Sequence, residues 1–415
     1  MCRLVGIVSD NIERKSDKKY SVAPHIIMSL SAQSYAADES TGIAIEKNGE
    51  FIVETGIGTA MEVFNRFDSE SHEGVTGIGH VACKTGEVQP IVIKRADQSI
   101  VLCSDATKDV SRAITQILSG SQNPEKAVKK AMLAIEAPFA LLVLLPSGKI
   151  IAARNSGLMP LSFGKLVDGN KGFYVASQSG VLGLDAHFLH SISPGQMVVL
   201  SKTDYRGKTI LANPDLTRCS QELLFWQRPG NCYGDRDTVV VRQSIGMKLG
   251  EKFRENVQIK DPGRYVAIPI LEGGASIILG FGQTANIPFN PAGSVKSRYH
   301  KPSFMPPHMD LFPIESVVKG KRVVIIDEAL ISGGQLEVMA KRSLEFGAKE
   351  VHAVIGTMIE KTCPFGKEII VENHKDAKEF VEDFNLASLT SLKPQEVLEV
   401  IGNPQQTYCT ECLRV

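Results

Sequence analysis

The stretch Val323-Val324-Ile325-Ile326-Asp327-Glu328-Ala329-Leu330-Ile331-Ser332-Gly333-Gly334-Gln335 decides the fold. Four consecutive β-branched residues with no polar interruption suit a parallel strand covered on both faces. Asp327 and Glu328 then fall at the strand's carboxyl end, where open α/β sheets bind their ligands. Ser332-Gly333-Gly334 is a turn. Leu336, Met339, Ala340 and Leu344 follow at helical spacing until Gly347 stops the pattern. Glycines at a helix N-terminus let backbone N–H groups close on a phosphate, and the helix dipole favours the anion. The acid pair suits a ribose with two cis hydroxyls or a bridging magnesium ion. The same pattern also serves an ordinary βαβ turn with its acids in water.

At 415 residues the chain exceeds one typical core, so two domains are expected. Its 46 basic and 46 acidic residues balance without a basic run, which argues against nucleic acid and anionic membranes as partners. With no run of 18 apolar residues and no signal-peptide pattern, a soluble cytoplasmic protein is expected. In that compartment the eight cysteines read as thiols, metal ligands or nucleophiles rather than disulfides.

At the other end, Met1-Cys2-Arg3-Leu4-Val5-Gly6-Ile7-Val8 puts a cysteine behind the initiator methionine and ahead of an apolar strand. Removal of Met1 would leave a thiol beside its own α-amine, which can serve as its base. A cysteine merely tolerated at position 2 gives the same sequence. Strand-like runs then alternate with short turns: 42–46, 77–82, 100–103, 139–145, 150–154, 173–177 and 197–200. Helices are read at 113–118 and 124–136, and turns at 168–170 and 194–195. The sum is a strand-rich α+β domain of two packed sheets flanked by helices.

This half resembles the N-terminal-nucleophile (Ntn, class II) glutamine amidotransferases, and within them the glutaminase domain of the amidophosphoribosyltransferase family. The likeness rests on Cys2-x-x-Val5-Gly6-Ile7, Glu39-Ser40-x-Gly42, Gly79-His80-Val81, Gln89-Pro90, Arg154, Pro160-Leu161, Ala176-Ser177 and Pro194-Gly195. It implies that Cys2 attacks the glutamine amide. The departures fall on the glutamine pocket. Ala82 replaces the arginine that grips the glutamine carboxylate, and Cys83-Lys84-Thr85 stands where the family has Tyr-Ser-Thr. Cys103-Ser104-Asp105-Ala106 replaces His-Asn-Gly-Asn, removing the Asn-Gly oxyanion pair. Tyr35-Ala36-Ala37 stands for His-Arg-Gly. A poor glutaminase is therefore expected.

The opening stretch resembles the phosphoribosyl-pyrophosphate (PRPP) motif of type I phosphoribosyltransferases. By that resemblance Asp327 and Glu328 hold the ribose hydroxyls, while Ala329, Leu330, Ile331, Ser332, Gly333 and Gly334 cradle the 5′-phosphate. Gln335 replaces the usual Thr or Ser. Gly273 and Gly274, after the strand 265–270, would bind pyrophosphate through backbone N–H groups, with Glu272 an awkward neighbour. Lys296 and Arg298 match a Lys-Asn-Arg-Tyr element. The Arg- and Lys-rich loop that closes over PRPP is reduced to Pro307–Pro313, with neither residue type.

Between the halves, Glu222, Arg228, Arg242, Gly246 and Leu249 match the family's junction and following helix (239–253 here), with 230–237 as linker. Alone, Cys409-Thr410-Glu411-Cys412 reads equally as a redox pair, half a zinc site or coincidence. Many members of the family carry a 4Fe–4S cluster, and the resemblance implies Cys219, Cys363, Cys409 and Cys412 as its ligands. Spacing alone does not separate that from zinc. Short helices at 377–385 and 394–401 and a strand at 368–371 complete the tail.

The expected architecture is an α+β Ntn glutaminase-like sandwich (2–228), then an α/β type I phosphoribosyltransferase domain (235–370), then a tail with cluster ligands (371–415). The function implied is phosphoribosylamine formation in purine biosynthesis, from magnesium-bound PRPP with ammonia or glutamine. Purine nucleotides are further small-molecule partners, and a homo-oligomer is implied. Two other classes stay open: a non-catalytic PRPP- or nucleotide-binding regulator or iron sensor, and a hydrolytic Ntn enzyme resting on Cys2 alone.

Overall fold

The computed structural model describes residues 2–10, 21–33, 40–68, 71–82, 88–167, 172–184, 186–296, 311–365, 376–402 and 407–413. Successive side chains of a strand face opposite sides, and the first strand of this chain is covered on both. On Cys2–Ser9, Leu4 and Val8 enter a core shared with Val101, Leu142, Leu144 and Ala152. Val5 and Ile7 enter another core, against Ile26 and Leu30 of the helix Ala23–Gln33. A strand covered twice has little polar face to show, so its sequence reads as an apolar run from Leu4 to Val8.

The first of two compact units comprises Met1–Cys219 and Gly230–Asp235, with a short piece beginning at Phe365. Its larger sheet is antiparallel throughout, in the order Ala186–Ser191, Ser162–Leu166, Gly172–Ala176, Cys2–Ser9, Thr76–Ala82, Ser40–Lys47 and Glu50–Ile57. The second sheet runs Tyr205–Thr209, Gln196–Leu200, Ile150–Arg154, Ala140–Leu144, Ile100–Asp105, Ile91–Ile93. Helices Lys108–Ser119 and Pro124–Ala134 cover its outer face through Ile114, Leu118 and Val128. The result is a helix–sheet–sheet–helix sandwich, as expected. The helix Ala23–Gln33 and the strand Glu50–Ile57 were not read from the sequence.

The second unit comprises Ser220–Pro229, Arg236–Pro364 and the described residues after 375. Its sheet is wholly parallel, in the order Tyr265–Pro269, Arg322–Leu330, Glu350–Met358, Ser388–Leu392. The central strand Arg322–Leu330 is buried on both faces. It is longer than expected, so Asp327 and Glu328 lie within it rather than just past its end. Helices Thr238–Asn256, Gly274–Thr284 and Gly334–Glu345 surround the sheet. The helices Ala377–Asp383 and Pro394–Ile401 are present. The strand expected at 368–371 and the turn at 168–170 lie outside the described residues.

Among the described residues no helix is long and apolar enough to cross a membrane.

Candidate functional site

In the second unit the Arg322–Leu330 strand delivers its acids to an open cavity of about 150 Å³ lined by residues 327–336 and Phe225. Ala329 and Leu330 finish the strand, Ser332 is exposed, and Gly333 turns the chain at φ +80° into the helix Gly334–Glu345. That left-handed turn favours glycine. A Cβ there would also approach Phe380 and Phe384 at 2.8 Å. The helix N-terminus therefore opens on the cavity with no side-chain cap, leaving the arrangement that attracts phosphate.

The two acids are not equivalent. Asp327 Oδ1 accepts from the Glu328 N–H at 2.9 Å. Burial, then the neighbouring Glu328 charge, pushes the Asp327 carboxyl well above its ordinary range. The Glu328 side chain packs on the backbone of Gly273, where an added Cβ would lie 1.4 Å from Oε2. A side chain at Gly273 would therefore displace the Glu328 carboxylate.

The Gly273-Gly274 turn starts the helix Gly274–Thr284. The Gly274 N–H donates to Ile270 O at 2.9 Å and the Ala275 N–H to Glu272 O at 3.2 Å, so both amides are engaged within the turn. Glu272, the awkward charge, stands 3.7 Å from Arg228. Lys296 lies on the Ser294–Lys296 strand, which pairs with Leu311–Pro313. Arg298, Tyr299 and the reduced loop up to Asp310 lie outside the described residues.

Sequence reasoning missed what holds Phe225 at this cavity. Residues Glu222–Trp226 form a π-helical turn. The fully buried Arg242 donates from Nε to Leu223 O at 3.0 Å and from Nη2 to Gln227 O at 2.7 Å. Its charge also acts on Asp327. An arginine on the same helical stripe as Ile245 and Leu249 was the available signal, since a buried cation needs partners.

In the first unit Cys2 opens the Cys2–Ser9 strand, in register with Ala82 on the next strand. Its backbone N–H donates to Asp105 Oδ1 at 3.1 Å. His80, one strand over, is fully buried, and burial drives its pKa down to about 3. Cys103 is buried close enough that the Cys2 charge adds to burial in raising its thiol pKa. Ser104 is already engaged: its N–H donates to Gln89 Oε1 at 2.7 Å and its hydroxyl meets Ser111 Oγ at 2.7 Å. Ala82, opposite Cys2 in the ladder, carries no charge, and the described ionisable side chain bonded to the Cys2 backbone is Asp105. Tyr35, Ala36, Ala37, Glu39, Cys83, Lys84 and Thr85 lie outside the described residues.

Cys363, Cys409 and Cys412 belong to the second unit, Cys219 to the first, and all four are thiols. Among the described residues no three His, Cys, Asp or Glu side chains come together as a metal site. The Cys409 carbonyl accepts from Ser220 Oγ at 2.8 Å, and the Cys412 carbonyl from the Glu360 N–H at 2.8 Å. The backbone is tied there, but the thiols do not fit a closed four-ligand set.

No family model matches the chain. The amidophosphoribosyltransferase of Methanothermobacter thermautotrophicus is 25% identical over 464 residues, covering 99% of this chain and 93% of the relative. That of Methanocaldococcus jannaschii is 24% identical over 476 residues, covering 100% and 96%. Over nearly its whole length the chain is similar to amidophosphoribosyltransferases. The solved glutamine PRPP amidotransferase from B. subtilis, complexed with ADP and GMP, superposes at a TM-score of 0.82 with 21% identity, covering 99% of this chain and 94% of that one. This fixes the fold as an Ntn glutaminase-like domain followed by a type I phosphoribosyltransferase domain. The expectation of that fold from the opening stretch and from Cys2 is borne out.

Proposed function

We propose that this protein forms phosphoribosylamine from magnesium-bound PRPP, drawing on free ammonia far better than on glutamine. The observation that carries the reading is the cavity on residues 327–336, where two buried acids precede an uncapped helix N-terminus. Asp327 and Glu328 would hold the ribose hydroxyls, and the backbone of 329–334 with Gln335 the 5′-phosphate. Ammonia would attack C1 of the ribose as the bond to pyrophosphate breaks, leaving phosphoribosylamine after loss of a proton. Gly273 and Gly274 would face the departing pyrophosphate, although two amides of that turn are engaged. Lys296 and Arg298 complete the proposed set, and magnesium arrives with the substrate and shields its charge.

The assignment of 2–228, 235–370 and 371–415 as glutaminase-like domain, transferase domain and tail belongs to this proposal. So do Cys2 as nucleophile, a cytoplasmic location, purine nucleotides as further ligands and a homo-oligomer. A 4Fe–4S cluster on Cys219, Cys363, Cys409 and Cys412 is supported by the presence of all four cysteines. Among the described residues no three of these side chains come together as a metal site.

Calorimetry of the full-length protein with PRPP and magnesium tests the binding site. Saturable binding, weakened by Asp327→Asn with Glu328→Gln, is expected, because charge-assisted hydrogen bonds are roughly twice as strong as neutral ones. No binding by the unsubstituted protein would remove the proposal.

A further inference from the structure

The first unit holds a second cavity, about 380 Å³, at the ends of the Ile150–Arg154 and Ser162–Leu166 strands. Neither Cys2 nor any residue of its pocket lines it. Arg154 lies in its wall, 6% exposed, and donates from Nη1 to Met159 O at 2.9 Å, while Nε has no hydrogen-bond partner. The side chains acting on the Arg154 charge are Tyr233 and Arg218, and neither is a carboxylate. Burying an unpaired cation is expensive. Burial is the main cause that brings the Arg154 pKa down to about 10; Arg218 pushes in the same direction and Tyr233 opposes it.

Arg218 lines the same cavity, and its partner is Asp235, at 3.1 Å and 57% exposed. A pair so exposed does little to offset two cations. Tyr233 is buried, its hydroxyl donating to Gly157 O and accepting from the Cys219 N–H, so it gives a fixed wall. Phe188 and Leu189, both part-exposed, add apolar surface at the rim. Volume, paired cations and an apolar rim are the attributes of a small-molecule pocket.

We propose that this cavity binds a small organic anion through a carboxylate or phosphate group seated between Arg154 and Arg218. The anion would neutralise the like-charge pair at the cavity wall, with the apolar rim taking the rest of the molecule. The site is independent of the PRPP reading, sharing no residue with it.

The test is arginine modification by phenylglyoxal on the full-length protein, mapped by peptide mass spectrometry. It is run in inorganic phosphate, in glutarate and in sodium chloride at equal ionic strength. Arg218 is one-quarter exposed and reachable by the reagent. Phosphate or glutarate, but not chloride, should slow its modification roughly tenfold, the worth of one charged hydrogen bond. The effective anion identifies the headgroup. Arg154→Gln should abolish the protection, and Asp235→Asn, which releases Arg218, should lower the anion concentration needed. Equal modification in all three salts overturns the proposal, as does protection that survives Arg154→Gln. If Arg154→Gln does not fold, an unchanged half-protecting concentration in Asp235→Asn overturns it instead.

Discussion

The Cys2 backbone nitrogen donates to a buried carboxylate, Asp105, across 3.1 Å. Once Met1 is removed, that nitrogen becomes the α-amine expected to serve as base for the Cys2 thiol. A carboxylate at this distance favours the ammonium form and raises the amine pKa. A protonated amine cannot accept the thiol proton. The same carboxylate would repel a developing oxyanion, so one substitution opposes two steps of amide hydrolysis.

Accordingly, Asp105→Gly should increase glutamine hydrolysis by roughly tenfold or more, given what a single oxyanion contact is worth. Glutamate release by Met1-processed protein measures it. Competitive acetylation should place the α-amine pKa of the unsubstituted protein above the usual 7.7 to 8.0, and Asp105→Asn should lower it. An unchanged hydrolysis rate and an unchanged amine would show that Asp105 is not the obstacle.

Asp327 gives a prediction of opposite sign for stability and function. Its folded-state pKa is raised by burial and by Glu328. The folded state therefore holds the proton more tightly than the unfolded chain. That contribution is fully present below the unfolded carboxyl value of about 3.9 and is lost as pH rises through the folded value. Asp327→Asn should flatten this loss and raise the denaturant midpoint at neutral pH, while weakening PRPP. A variant less stable than its parent at neutral pH would contradict the assignment.

How much of this was legible in the sequence depends on which physical signal each element carried. The strand Val323–Ile326 announced itself because burial on both faces leaves no polar residue. Gly333 did so because its turn needs φ +80°. The strand's continuation through Asp327 and Glu328 was hidden, since paired carboxylates conventionally mark an end. Glu50–Ile57 was missed because an edge strand with one half-exposed face blends polar and apolar residues. The Cys2–Asp105 contact joins residues 103 apart, and no local pattern encodes it. Arg154 and Arg218 were likewise invisible as a pair, because only the fold brings them to one cavity.

The turn at Gly333 can be probed against a control. Gly320 also has positive φ (+73°), with nothing within 4 Å of an added Cβ, whereas a Cβ on Gly333 meets Phe380 and Phe384. Gly320→Ala should cost about 1 to 2 kcal/mol from backbone strain alone. Gly333→Ala should cost more and also weaken PRPP, read from urea midpoints and calorimetry. Equal midpoints for the two variants would show that the aromatic contact carries no weight.

The cysteines make a compositional prediction. If Cys219, Cys363, Cys409 and Cys412 hold the cluster in solution, anaerobically purified protein carries about four iron and four sulfide per chain. Cys412→Ser should then remove both. Stoichiometric zinc without sulfide would keep a four-cysteine site and replace its occupant. Absence of both would leave the thiols as the structure arranges them, without a shared ligand.

The most direct test is pyrophosphate release from PRPP by the full-length protein with magnesium, supplied in parallel with ammonium and with glutamine. The account predicts release with ammonium, at least a hundredfold slower release with glutamine as befits one lost oxyanion donor, and loss of both with Asp327→Asn. Glutamine-driven release as fast as that with ammonium, or no release with either, would contradict it.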